Sequence, residues 1–82
     1  MQDVVMYTSN ACPYCRMAKQ LLSRRGIVAQ ELLVDFEPAL HKQMVERTGR
    51  RTVPQIFIGA RHVGGFDDLA ALERSGELAA LL

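Results

Sequence analysis

Cys12-Pro13-Tyr14-Cys15 is the stretch from which the rest of the chain is read. It holds both cysteines of the chain, and a short apolar run, Val4-Val5-Met6-Tyr7, stands ahead of it with the length and composition of a strand. If a helix begins at Pro13, Cys12 is its N-cap and Cys15 its third position, so the two thiols share a face and can carry a reversible disulfide. Proline suits the first helical position, because its missing N–H would have had no partner within the helix and its φ is already near the helical value. The Cys12 sulfur then points at free backbone N–H groups and at the positive end of the helix dipole, both of which favour thiolate over thiol. Cys12 is therefore the expected nucleophile. Cys15, one turn further in with fewer free donors around it, suits a resolving thiol that attacks a mixed disulfide on Cys12.

Other uses of such a pair fit less well. Half of a zinc site needs two further ligands, but the only histidines, His41 and His62, lie far outside zinc-finger spacing and no second C-x-x-C occurs. A static staple closing so short a loop restricts the unfolded chain little, so stability alone is a poor reason for it.

Composition sets the frame for that chemistry. The 82 residues, 49% hydrophobic and 23% charged, read as one globular domain over 1–82 with one core. A formal charge of +1 without a dense basic arm argues against nucleic acid as a main partner. Arg16, Lys19, Arg24 and Arg25 read as a solvated helix face. The start lacks a basic segment followed by an apolar one, and no apolar run approaches membrane length. A cytoplasmic, membrane-free monomer is expected, in a reducing compartment where a disulfide is transient.

Outward from the cysteines the elements follow in order. A strand is expected over about Asp3–Tyr7, and a helix from Pro13 to about Arg25 with Tyr14, Ala18, Leu21 and Leu22 on its inward stripe and Gly26 as its stop. A second strand over about Gln30–Val34 implies a parallel crossover. Asp35 or Glu37 is the expected cap of a second helix, with Pro38 in its first turn, Leu40, Met44, Val45 and Thr48 inward and Gly49 at its end. His41 on that helix reads as a surface or boundary histidine. Strands over Gln55–Ile58 and Arg61–Val63 form a hairpin through Gly59-Ala60. Pro54 stands at the strand entrance, and a cis bond to Val53 would leave the Val53 N–H and C=O open to an extended partner. After Gly64-Gly65 a third helix is expected, with Asp67 as N-cap, Leu69 and Leu72 inward, and Gly76 at its end. Glu77–Leu82 adds a last helical turn, with Leu78, Leu81 and Leu82 closing the core.

Three segments together, Cys12-Pro13-Tyr14-Cys15, Thr52-Val53-Pro54 and Gly64-Gly65-Phe66-Asp67-Asp68, make the chain resemble a dithiol glutaredoxin over essentially its whole length. The resemblance implies an α/β, thioredoxin-like fold: a four-stranded mixed sheet flanked by helices, the elements following one another along the chain as strand, helix, strand, helix, strand, strand, helix, with Pro54 cis beside the thiols. It also implies a glutathione-disulfide oxidoreductase engaged in electron transport and cell redox homeostasis. Cys12 and Cys15 would be catalytic, and glutathione the reducing co-substrate with no metal expected. The tripeptide backbone would pair with Val53 beside Pro54, its γ-glutamyl carboxylate would take the N–H groups of Phe66 and Asp67 after Gly65, and Asp67 would meet its ammonium. Thr52 and Tyr14 would line its cysteinyl part, and Arg50 would reach its glycyl carboxylate.

Two departures stand out. Many relatives have a lysine where this chain has Ser9, and many have a cysteine or serine after the double glycine where it has Phe66. Three roles remain open to such a chain. The leading one reduces protein-glutathione mixed disulfides and protein disulfides. A second holds an iron-sulfur cluster between two protomers through Cys12 and glutathione, which the stiff Pro13 disfavours. A third serves one enzyme, such as a ribonucleotide reductase, and is recharged by thioredoxin reductase.

Overall fold

The apolar run ahead of the cysteines forms β1 (Val4–Thr8), an inner strand of a four-stranded sheet in which β2 (Gln30–Leu33), β1, β3 (Gln55–Ile58) and β4 (Arg61–Gly64) lie side by side. The computed structural model describes residues 2–82. β1 runs parallel to β2, with Val5 opposite Gln30, and antiparallel to β3, with Tyr7 opposite Gln55. β3 and β4 pair antiparallel, with a register shift at Ile56/Phe57. Four helices complete the described residues: α1 (Pro13–Arg24), α2 (Pro38–Thr48), α3 (Phe66–Ser75) and α4 (Glu77–Leu81). This mixed sheet with flanking helices is the thioredoxin-like arrangement expected. No helix among the described residues is long and apolar enough to cross a membrane.

Period-2 alternation sorts the core onto the two faces of the sheet. Val4 and Met6 of β1 and Ile56 and Ile58 of β3 face α1 and α3, packing with Ala18, Leu22 and Leu69. Tyr7 and Phe57 point the other way and meet Met44 of α2. The Tyr7 hydroxyl, buried with its ring, donates to Gln43 and accepts from the Arg47 guanidinium at 2.9 Å, so α2 is tied to β1 by polar as well as apolar contact.

The buried stripe of α1 is Cys15, Ala18, Leu21 and Leu22. Tyr14, expected on that stripe, is instead 58% exposed and leans on Phe66 with ring centroids 6.2 Å apart. The first helical turn flanks a groove, and it is Cys15 that points into the core. The α1 helix stops at Arg24, one residue early, where Leu22 C=O accepts from Arg25 N–H at 2.9 Å and from Ile27 N–H at 3.0 Å. β1 and β2 each sit within a residue of expectation, and β4 runs on to Gly64.

The helix caps differ from expectation in two places. Glu37 is the N-cap of α2 but makes no side-chain cap bond, and Asp35 turns back to the loop after β1. The N-cap of α3 is Gly65, not Asp67, because the helix already begins at Phe66. Asp68 then occupies the third position and reaches back to accept the Gly65 N–H at 2.9 Å, the returning half of a capping box. Its carboxylate also accepts from Arg50 at 3.0 Å. Gly64 has φ +119, and a Cβ there would run into Asp68 and Arg50, so no side chain fits beneath this pair. Leu69 and Leu78 are fully buried, while Leu72, Leu81 and Leu82 are partly buried against the same core.

Two stability outcomes are expected. Leu22 is 1% exposed, so Leu22→Ala leaves a cavity under α1 and costs about 2–5 kcal/mol in urea unfolding, whereas Val28→Ala, at a 95% exposed site, stays within about 0.5 kcal/mol. Asp68→Ala costs about 0.5–1 kcal/mol at neutral pH, the lower part of the capping range because the side chain is half exposed. The Gly65 N–H, and then Arg50, hold the Asp68 carboxyl below its ordinary value. Its contribution is therefore present above the unfolded carboxylate pKa and lost as pH falls through the lower folded value, so the two proteins converge in acid. A difference that persists undiminished to low pH would refute this origin.

Candidate functional site

The loop leaving β1 is fixed before it reaches the first cysteine. The Asp35 carboxylate accepts from the Ser9 hydroxyl at 2.8 Å and from the Asn10 N–H at 3.0 Å, and the Ser9 oxygen accepts from the Ala11 N–H at 3.3 Å. Cys12 follows in extended conformation as the N-cap of α1, with Pro13 at the first helical position as the sequence anticipates. Its sulfur accepts the Cys15 N–H at 3.2 Å, one of the donors that an α-helix leaves without an internal partner. On the other side the Cys12 thiol points at the Val53 C=O, 3.6 Å away.

The two thiols are free and unequally placed. Cys12 is partly exposed, whereas Cys15 is fully buried. Burial, and then the neighbouring Cys12 side chain, push the Cys15 thiol above its ordinary pKa, while the Thr8 side chain and the Ser9 backbone pull it partly back. Thr8 is itself fully buried, and its hydroxyl has no aligned hydrogen-bond partner among the described residues. One cysteine is thus open to an incoming sulfur, and the other can be reached only through it.

Beside Cys12 lies a groove of about 390 Å³. Its walls include all eight residues that the resemblance assigns to the tripeptide: Tyr14, Arg50, Thr52, Val53, Pro54, Gly65, Phe66 and Asp67. The Val53–Pro54 bond is cis. A Cβ added at Gly65 would sit 3.5 Å from the Pro54 carbonyl oxygen, so the loop before β3 and the start of α3 approach closely here. Arg50 stands at the rim already paired with Asp68, and Asp67 is exposed in the first turn of α3. Exposed Phe66 N–H and Asp67 N–H groups are the usual consequence of such a helix start. Phe66 occupies the first position of the helix.

Two wall residues were missed by sequence reading, Gln55 and Asp68. Gln55 had a signal: it is the one polar residue in the run Gln55-Ile56-Phe57-Ile58, and it is 1% exposed. Asp68 is three residues after Gly65, the spacing at which a carboxylate returns to an N-cap. His41 is partly buried at the surface, its Nε2 3.3 Å from the Arg51 carbonyl oxygen, in keeping with a boundary role. No group of three or more His, Cys, Asp or Glu gathers at metal-binding distance among the described residues.

Comparison with known proteins agrees with this geometry. The family model for glutaredoxin matches residues 4–63. A glutaredoxin of Pseudomonas aeruginosa is 55% identical over 82 residues, covering 100% of this chain and 98% of that protein. The solution structure of glutaredoxin from Brucella melitensis has a TM-score of 0.88 at 54% identity and covers 100% of this chain and 89% of that one. The crystal structure of a buckwheat glutaredoxin-glutathione complex has a TM-score of 0.91 at 33% identity, covering 99% and 76%. A matched family model, a relative 55% identical across 98% of its length and a shared fold lead to one conclusion: the chain belongs to the glutaredoxin family of thiol-disulfide oxidoreductases, with Cys12 and Cys15 as its cysteine pair.

Proposed function

We propose that this glutaredoxin is a glutathione-dependent oxidoreductase that reduces protein-glutathione mixed disulfides and protein disulfides, acting as a single-domain monomer in the cytoplasm. The observation that carries the reading is the adjacency of an accessible thiol to a peptide-sized groove: the Cys12 sulfur lies 3.6 Å from the Val53 carbonyl oxygen, and Val53 is part of the groove wall. A volume of about 390 Å³ suits a tripeptide. An extended backbone would lie along Val53 as an added strand, and the first turn of α3 offers N–H groups to the γ-glutamyl carboxylate. Asp67 would face the ammonium. Arg50 would reach the glycyl carboxylate while keeping one arm on Asp68. Tyr14 and Thr52 would flank the cysteinyl part. The buckwheat relative, described as a glutathione complex, supports the same co-substrate.

The steps then balance as thiol-disulfide exchange. The Cys12 thiolate attacks the glutathione sulfur of a mixed disulfide, the target leaves as a thiolate that takes up a proton, and Cys12 is left glutathionylated. A second glutathione thiolate attacks that sulfur, regenerates Cys12 and departs as glutathione disulfide. With a protein disulfide, Cys12 attacks first, and Cys15 attacks Cys12 to release the target's second thiol and close the Cys12–Cys15 disulfide. Two glutathiones then reopen it.

Cys12→Ser is expected to abolish turnover with glutathionylated peptide and with disulfide protein alike. Cys15→Ser is expected to keep the first activity and lose most of the second. Equal losses in both assays for both variants would reject this division of labour. The pH dependence is also expected to split. Burial is the larger cause of the raised Cys15 pKa, and a group attached at Cys12 would add cover over Cys15 rather than remove it. Stopped-flow closure of the Cys12–Cys15 disulfide should therefore rise by up to about tenfold per pH unit from neutrality into the alkaline range, following the Cys15 thiolate fraction. A pH-independent closure rate would show that Cys15 is not the limiting nucleophile.

A further inference from the structure

We infer that Gln55, held by His62, is the positioning residue that aims the Val53 N–H into the groove, so that a side chain outside the three family segments sets how tightly the peptide co-substrate binds. Gln55 is fully buried in the groove wall, and both ends of its amide are engaged. Its Nε2 donates to the Thr52 C=O at 3.0 Å, and its Oε1 meets His62 Nε2 at 2.8 Å. An amide oxygen beside the Thr52 carbonyl would set two acceptors against each other, so the nitrogen must face Thr52 and the oxygen must face His62. His62 Nε2 therefore carries a hydrogen, and the histidine is a donor in either charge state.

The consequence reaches Val53 through covalent geometry. The Thr52 C=O and the Val53 N–H belong to one trans peptide unit, planar and stiff, so fixing the direction of one fixes the direction of the other. The Gln55 bond to Thr52 thus determines where the Val53 N–H points, and the Val53 N–H is the donor an extended partner needs.

His62 is itself well anchored. It sits opposite Phe57 across β3 and β4, with ring centroids 5.0 Å apart, and the Arg47 guanidinium lies 4.0 Å from the centre of that same Phe57 ring. Burial, then Arg50 and Arg47, hold the imidazole below its ordinary pKa against the opposing pull of Asp68. Near neutrality it is uncharged, with its single hydrogen committed to Gln55.

The inference rests on the proposed glutathione site, and the test separates the two. His62→Phe keeps a ring against Phe57 but removes the donor, whereas His62→Gln restores an N–H donor. In steady-state assays with glutathionylated peptide, His62→Phe should raise the glutathione KM by about 3–10-fold, the size of one lost hydrogen bond. Saturating kcat and the alkylation rate of Cys12 should stay within twofold, and His62→Gln should recover most of the KM. In ¹⁵N-¹H spectra the Val53 amide should shift in His62→Phe and return in His62→Gln. A wild-type KM and an unmoved Val53 amide in folded His62→Phe would overturn the relay. If the wild-type protein shows no saturation with glutathione, the proposed function fails, and the Val53 amide alone decides the relay. Should His62→Phe not fold, Gln55→Met, of similar volume, is read by the glutathione KM and the Val53 amide alone, with the same expected signs.

Discussion

The bond from the Cys15 N–H to the Cys12 sulfur, 3.2 Å long, is the constraint around which the molecule is arranged. It exists because a helix starts one residue after Cys12, and a helix starts there because Pro13 supplies the backbone angle while giving up a donor that no helical partner would have used. The start is held in space by what lies further along α1. Ala18, Leu21 and Leu22 press the helix onto Met6 and Ile56 of the inner strands, so the sulfur inherits the rigidity of the core rather than the freedom of its loop. The same packing buries Cys15. Two chemically identical side chains one turn apart thereby acquire different access to solvent, and the proposed order of reaction, Cys12 before Cys15, follows from that difference.

The second half of the chain supplies the surface beside the sulfur. The loop before β3 brings Thr52, Val53 and Pro54 to the groove, and Gly64 and Gly65 let α3 begin against it without a side chain in between. Arg50 and Asp68 bridge these two segments at 3.0 Å. Both partners are about half exposed, so Coulomb attraction between them is screened and weak. The larger effect is geometric: one carboxylate satisfies the Gly65 N–H and orients Arg50 at the rim together.

Much of this was legible in the chain, because local chemistry and tertiary placement agreed. The strands of the Val4–Tyr7 and Gln55–Ile58 runs, the proline-led helices and the glycine stops at Gly49 and Gly76 all appear where the residues put them. The eight residues assigned to the groove from the glutaredoxin likeness lie together on its wall. Each misplacement has a physical cause. Tyr14 has the right spacing for the inward stripe, but spacing does not say that the first turn projects beside a groove. Asp67 has a good capping side chain, but the helix begins one residue too early for it to serve. Asp35 looks like a cap for α2, yet a loop remote in sequence competes for its carboxylate. For Tyr14 and Asp35 a contact distant in sequence decided between two locally acceptable conformations, whereas for Asp67 the local return of Asp68 to the Gly65 N–H did.

That competition also gives Ser9 a physical reading. Where many relatives carry a lysine, this chain has a hydroxyl that both accepts from the Ala11 N–H and donates to Asp35. A lysine there would add a cation, but at an exposed loop its field is damped by water and salt within about 10 Å. The Ser9–Asp35–Asn10 network instead fixes backbone, and the bonds to the charged carboxylate count among the stronger ones, roughly twice a neutral pair. The loop that delivers Cys12 is thus steadied by directed hydrogen bonds where relatives place a charge. The thiol end of the groove is left without a lysine, so in the proposed function the attraction of an anionic peptide would fall to Arg50 and the first turn of α3. In the proposed binding mode the Val53 peptide unit, beside the sulfur, and the start of α3 on the same groove wall would carry that load together.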